Sequence, residues 1–302
     1  MHDRNPYKKN PPNFTDLARD YPELRKHCFL TRMGTLNLNF NSAEAVSALS
    51  RVLLLKDFGL DVVLPRENLV PRVPQRFNYL LLIEDIIVAN GIAFESVIGV
   101  DIGTGASCIY PLMGAAKFGW LFWATDIDRN SVMTARANVE RNNLSANITV
   151  MDANPQSLIE DVYAESHQDK ITFSLCNPPF YDFEEVKQKY IVNEDEFCEN
   201  IGVIHDTRPL PHSSTVAKWN ELATEGGEVT FVLRMVEESK KIRLGIRFYT
   251  SMLGFKTSLT RITKVLSEIE GVRHFVRTLN QGRTQRYIIV WTFDTTAKLD
   301  FF

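Results

Sequence analysis

From about residue 97 onward, short apolar runs alternate with longer amphipathic stretches. Val97–Asp101, Trp120–Asp126, Ile148–Met151 and Ile171–Cys176 are nearly continuous apolar segments, the pattern of strands covered on both faces. Between them, Ala106–Phe118 and Ser131–Asn142 are predicted helices, the first ended by Gly119, a residue suited to a helix C-terminus. A helix at Glu228–Ile242, a strand at Ile246–Met252, a helix at Leu259–Glu270 and two strands at Arg273–Leu279 and Arg286–Phe293 complete the pattern. Strands separated by helices predict an α/β fold with a mostly parallel sheet and helices on both faces. The last two strands, with no helix between them, leave room for an antiparallel strand.

The N-terminal part reads differently. Pro6, Pro11 and Pro12 among Lys8, Lys9 and Asn10 predict an extended basic arm. Asn13–His27 predicts one or two short helices, and the alternation at Leu36–Phe40 a short strand. Ser42 is an N-cap for a helix over Ala43–Phe58 closed by Gly59, and Pro71 and Pro74 lead into a helix over Gln75–Asn90 closed by Gly91. The predicted organisation is therefore a helical extension over 1–92 and a sheet-containing core over 93–302. The core is interrupted at about 181–212 by an aperiodic loop, rich in acid and then proline. Such a long loop is usually functional or disordered.

The 302 residues and 44% hydrophobic content allow one large domain with a sizeable core. Cys28, Cys108, Cys176 and Cys198 show no C-x-x-C spacing, which predicts neither a zinc site nor a disulfide framework and favours a reducing compartment. No apolar stretch reaches the roughly 18–20 residues of a membrane span, and the polar start Met1–Pro6 does not read as a signal peptide. The net charge of −3 hides segregation. Residues 1–32 hold seven Lys or Arg against four acids, and 233–286 hold twelve against four, whereas 155–200 hold three against eleven. Two basic regions of this kind suit an anionic polymer.

The candidate chemistry lies at the carboxyl ends of the predicted strands. Asp101-Ile102-Gly103-Thr104-Gly105 closes the first of them, where an open α/β sheet forms its ligand crevice. The turn lacks the G-x-G-x-x-G of dinucleotide binders. A closely approached backbone beside an acid suits a cationic cofactor, and S-adenosylmethionine carries an ammonium and a sulfonium but no phosphate. Asp126 ends the next strand 25 residues later, the place of an acid that binds ribose hydroxyls. Asp128 is expected on the opposite face, and Ser157, beyond the third strand, near the adenine. Asn177-Pro178-Pro179-Phe180 follows the fourth strand. Its prolines fix the backbone and expose a carbonyl. The Asn177 side-chain oxygen and the Pro178 carbonyl can each accept one N–H of an exocyclic amine, and Phe180 can stack on its ring.

The chain resembles the methyltransferase-like protein 16 family, RNA adenine-N6 methyltransferases related to the bacterial 23S ribosomal RNA adenine-N6 methyltransferase. The resemblance runs nearly end to end. Its marks are Met1-His2-Asp3-Arg4-Asn5-Pro6-Tyr7-Lys8, Val73–Tyr79, Asp101–Pro111, Asn177–Phe180, Glu225-Gly226-Gly227-Glu228 and Gln281-Gly282-Arg283-Thr284. It implies a Rossmann-like class I methyltransferase fold with a seven-stranded sheet, and S-adenosylmethionine contacts from Arg76, Gly103, Asp126, Ser157 and Asn177, with Asp101 and Gly105 in the same turn. Arg76 would pair with the cofactor carboxylate. Family members carry Glu at Asp126, Thr at Ser157 and a basic loop where this chain has Glu184-Glu185 and Glu194-Asp195-Glu196, so that loop's contact with RNA is left open.

The expected reaction is methyl transfer to adenine N6 of an unpaired or bulged adenosine, without a metal or a general base. Arg4, Lys8, Lys9, Arg208, Arg283 and Arg286, with Arg247 as a further candidate, would bind phosphates. The resemblance implies U6 small nuclear RNA and the messenger RNA of S-adenosylmethionine synthetase as substrates and a longer full-length protein; the expected location is the nucleus, with the cytoplasm as a further candidate, and the core is expected to be monomeric. Methylation of protein glutamine or of a small molecule, which also uses N-P-P-aromatic sequences, is the alternative.

Overall fold

The structure, a computed structural model, describes residues 1–166, 170–184, 186, 217–281 and 284–299. Eleven strands are present among them: β1 Cys28–Leu30, β2 Leu36–Leu38, β3 Ile98–Ile102, β4 Leu121–Asp126, β5 Ile148–Asp152, β6 Ile171–Cys176, β7 Tyr181–Asp182, β8 Ala223–Thr224, β9 Ile246–Leu253, β10 Arg273–Gln281 and β11 Thr284–Thr292. Seven form one sheet in the order β10-β11-β9-β6-β3-β4-β5. Neighbours from β9 to β5 run parallel, while β11 is antiparallel to both β9 and β10. This is the Rossmann-like methyltransferase sheet. β3 and β6 lie side by side near its middle, and chain order reverses between them, which opens the crevice at their carboxyl ends.

The sheet is central because its strands are apolar on both faces. All six residues of β6 are buried. Under β3, Trp120, Phe122 and Phe173 form an aromatic layer, with Trp120 and Phe173 centroids 5.5 Å apart and Phe122 and Phe173 5.8 Å apart. Each such ring contributes roughly 1.5–3 kcal/mol by leaving water. Gly99 is required by this layer, since a Cβ there would stand 2.5 Å from Phe173 Cζ and 2.7 Å from Phe122 Cε1.

The helix predicted over Ala106–Phe118 begins only at Ile109. Cys108 preceding it is left-handed, with φ 49°, so residues 103–108 form an irregular lip over the crevice. The final antiparallel pair is long, and its register matches Arg273 with Thr292 through Gln281 with Thr284. Cys28, Cys108 and Cys176 are free thiols. No helix among the described residues is long and apolar enough to cross a membrane.

The predicted extended arm is corrected. Pro6–Lys9 is a short helix with Asn5 as its cap, because proline is preorganised for the first helical position and Asn is a strong N-cap. Asn5 Nδ2 donates to Pro74 O at 2.9 Å and to Asn78 Oδ1 at 2.7 Å, and the Tyr7 hydroxyl donates to Asp57 at 2.6 Å. The arm is thus docked on the helix Val73–Ala89. One apolar cluster runs from Tyr7, Leu17 and Leu24 through Leu80 and Ile83 to Trp120 and Phe173. The helical extension and the sheet therefore share a core across residue 92.

Candidate active site

The carboxyl ends of β3, β4 and β6 frame one cavity. Its wall includes Arg76, Gly103, Gly105, Asp126, Ser157, Asn177, Pro178 and Pro179, which were singled out from sequence. Apolar Ile102, Ile127, Leu158 and Phe231 complete it, together with Leu69 and Pro71 from the N-terminal region and Glu221 from beyond the loop. Gly103 and Gly105 have φ of +71° and +64°, a conformation that favours glycine.

Asp126 accepts from Gly105 N at 2.8 Å and from Asp128 N at 2.9 Å. Each of its oxygens keeps a lone pair for a hydroxyl donor. Burial raises its pKa, and these two backbone donors oppose the rise. Asp128 lies outside the cavity wall, capping the helix Arg129–Arg141 and pairing with Lys218; the turn beyond β4 takes it there, not alternation along the strand, on which residues two apart share a face. Ser157 Oγ accepts from Asp161 N at 3.0 Å and lies on the rim.

Asp101 is placed differently from the expectation. It is 1% exposed and sits behind the glycine turn, outside the cavity wall, where Oδ2 accepts from the Thr104 hydroxyl at 2.7 Å. Oδ1 is buried without a hydrogen-bond partner. Alternation along β3 turns this side chain under the turn. Burial pushes its carboxyl up to about 7, Asp126 adding to the rise while Thr104 and Arg76 oppose it.

Arg76 joins the two halves of the site. It is 8% exposed, and its Nη1 donates to Asn177 Oδ1 at 2.7 Å and to the Tyr110 hydroxyl at 3.0 Å. Guanidinium has donors only, so the oxygen of the Asn177 amide must face Arg76. That oxygen retains a second lone pair. Phe180 is half-buried and packs against the core outside the cavity wall, with Arg286 Cζ over its ring at 5.0 Å.

Tyr110 and Glu221 were missed from sequence. Tyr110 stands in a quoted motif, but nothing in that motif points to a bond with Arg76. Glu221 accepts from Leu69 N and Lys218 N, both at 2.8 Å, and from Asn68 Nδ2 at 3.1 Å. It ties the N-terminal segment over the cavity to the chain beyond the loop, a pairing across roughly 150 residues that no local pattern announces. Burial raises its pKa too.

The phosphate-binding candidates are less uniform than expected. Arg4 pairs with Glu84 and Asp85, Lys8 with Asp3 and Arg247 with Asp294. Lys9 is exposed and has no ion-pair partner among the described residues. Arg286 lies on Phe180, where burial and the neighbouring Arg76 lower its pKa. Arg208, Arg283 and most of the predicted loop at about 181–212 lie outside the described residues.

A family profile described as RNA methyltransferase matches residues 1–295. The U6 small nuclear RNA (adenine-(43)-N(6))-methyltransferase of Caenorhabditis briggsae is 44% identical over 305 residues, covering 97% of this chain and 62% of that protein. The human METTL16 catalytic domain in complex with a MAT2A 3′UTR hairpin superposes with a TM-score of 0.84 at 38% identity, covering 99% of this chain and 97% of that one. The N-terminal domain of human METTL16 in complex with SAH gives 0.79 at 37% identity, covering 97% and 98%. The chain spans about half to two thirds of the length of the first curated relatives it matches.

Proposed function

From its membership of this RNA methyltransferase family, which the match over residues 1–295 shows, we propose that the chain transfers a methyl group from S-adenosylmethionine to N6 of an unpaired or bulged adenosine in structured RNA. U6 small nuclear RNA and the S-adenosylmethionine synthetase message are the proposed substrates, and the nucleus the proposed compartment. The Asn177 amide, oriented by Arg76 in the cavity wall, carries this reading. The named relatives, one of them solved with an RNA hairpin, support it.

The residues present fit the cofactor. Arg76 is a buried cation for its carboxylate, Asp126 an acceptor for ribose hydroxyls, and Ile127, Leu158 and Phe231 an apolar wall for adenine. When bound, the cofactor supplies an electrophilic methyl group. Adenine N6 is a weak nucleophile because its lone pair is shared with the ring, so the protein's task is alignment. Asn177 Oδ1 and the Pro178 carbonyl accept the two N–H bonds and hold the nitrogen lone pair toward the cavity. The same acceptors stabilise the positive charge that develops on N6. Phe180 stacks on the base, worth roughly 1–3 kcal/mol.

A hairpin with one unpaired adenosine is expected to accept tritiated methyl, and its digest to contain N6-methyladenosine. Pairing that adenosine slows transfer by about tenfold or more, since the base must then be unpaired first. Transfer to a glutamine peptide with none to RNA would overturn the reading.

The site also carries a pH dependence. Asp101 holds its proton up to about 7, against an ordinary value of 3.8. Its stabilising contribution is present below the ordinary value and is lost as pH rises through about 7. A cationic ligand on the glycine turn lowers that pKa, so cofactor binding near pH 6–7 is expected to release a fraction of a proton, up to about one. Calorimetry in buffers of different ionisation enthalpy measures it, and Asp101→Asn is expected to reduce it, the remainder coming from Asp126 and Glu221, whose carboxyls burial also raises. Identical heats in every buffer would refute the link.

A further inference from the structure

The segment Glu225-Gly226-Gly227-Glu228 has no part in the transfer described above. Gly226 and Gly227 are both left-handed, with φ of +70° and +64°, and turn the chain from β8 into the helix Gly227–Ile242. A Cβ on Gly227 would stand 3.4 Å from Asp182 N and 3.5 Å from Phe180 O. The turn therefore packs on the backbone that leaves the Asn177–Phe180 clamp.

Glu228 follows in the first turn of that helix, where negative charge is favoured. It is 2% exposed. Its Oε2 accepts from Gly254 N at 2.7 Å and its Oε1 from Phe255 N at 3.0 Å. Burial raises its pKa, while these amides, the Ser258 side chain and the charge of Arg286 oppose the rise. The two amides directly follow β9, and Gly254 lies against Phe180. A Cβ on Gly254 would meet Phe180 Cδ1 at 3.0 Å and Cγ at 3.4 Å. Tyr181, next in the chain, sets its ring edge-on to Phe255 with centroids 5.9 Å apart.

We infer that Glu228 is a positioning residue for the stacking ring: by holding the Gly254 and Phe255 amides it fixes the shelf on which Phe180 lies. This rests on the reading of Phe180 as the ring that stacks on the target base. A carboxylate suits the place because both of its oxygens accept. Glutamine offers one oxygen and turns its NH2 toward a backbone donor, so the shelf shifts while most of the packing stays.

The test is a double-mutant cycle read by steady-state methyl transfer to a hairpin RNA. Glu228→Gln is expected to lower kcat/KM for RNA by about tenfold with the S-adenosylmethionine Kd unchanged. In a Phe180→Ala background the same change costs at most about twofold, because the ring it positions is gone. Equal losses in both backgrounds, or a weakened cofactor Kd, would overturn the inference. Where Glu228→Gln fails to fold, Gly254→Ala repeats the cycle by pressing a methyl on Phe180. The same dependence on Phe180 supports the shelf, and additive losses overturn it. A native chain that methylates no RNA would overturn the reading of Phe180 and this inference with it. An additive cycle in an active enzyme overturns the shelf alone.

Discussion

Replacing Asn177 with alanine is expected to lower kcat for RNA methylation by about 10²–10³-fold, the usual cost of removing one preorganised group at a centre of developing charge. Two effects combine. The N6 amine loses one of its two acceptors, so the nitrogen is no longer held with its lone pair toward the methyl group. Arg76 loses its Asn177 partner, 2.7 Å away, and is left with the Tyr110 hydroxyl as its oxygen contact. RNA affinity is expected to stay within about threefold, since phosphate contacts supply most of it. Filter binding alongside single-turnover methylation separates the two quantities. Residual transfer above about a tenth of the native rate would remove Asn177 from the centre of the mechanism.

Arg76→Ala is expected to act on both halves of the site. Loss of a charged partner for the cofactor carboxylate costs about 1.5–3 kcal/mol, or roughly 10–150-fold in S-adenosylmethionine Kd. The Asn177 amide also loses the donor that sets its orientation, so kcat is expected to fall at saturating cofactor as well. Arg76→Lys recovers part of the affinity and little of kcat, because one ammonium cannot serve Asn177, Tyr110 and a carboxylate in the fixed geometry of a guanidinium fork. Calorimetry gives the Kd and saturating kinetics the kcat. An unchanged Kd would refute the carboxylate role, and an unchanged kcat would refute the orienting role.

Strong periodicity accounts for most agreement between the sequence reading and the fold. β6 forms at Ile171–Cys176, where the apolar run predicts it, and the helix Ala43–Phe58 lies between Ser42 and Gly59 as expected. Boundaries failed where the backbone leaves regular geometry. Cys108 delays the helix after β3 by adopting positive φ, a conformation that its apolar neighbours do not predict. The arm departs from the extended chain predicted for it because its prolines and lysines are equally consistent with an extended chain and a capped turn. Asn78 and Asp57, which dock it, lie more than forty residues away.

The amino-acid sequence by itself determined the alternation of strands and helices, the glycine turn, the acid at the end of β4 and the Asn177-Pro178-Pro179-Phe180 segment that follows β6. These are local features, written in periodicity and in residues whose backbone preferences are strong. Only the tertiary structure decided that Arg76 bonds the Asn177 amide across 101 positions, that Asp101 is buried beneath the turn, that Glu221 ties Leu69 to the far side of the loop, and that Glu228 holds the amide of Gly254, which lies against Phe180. Each is a contact between segments distant in the chain. Hydrogen bonds of that kind leave no period in the sequence, because the partners become neighbours only when the sheet assembles and buries their polar groups together.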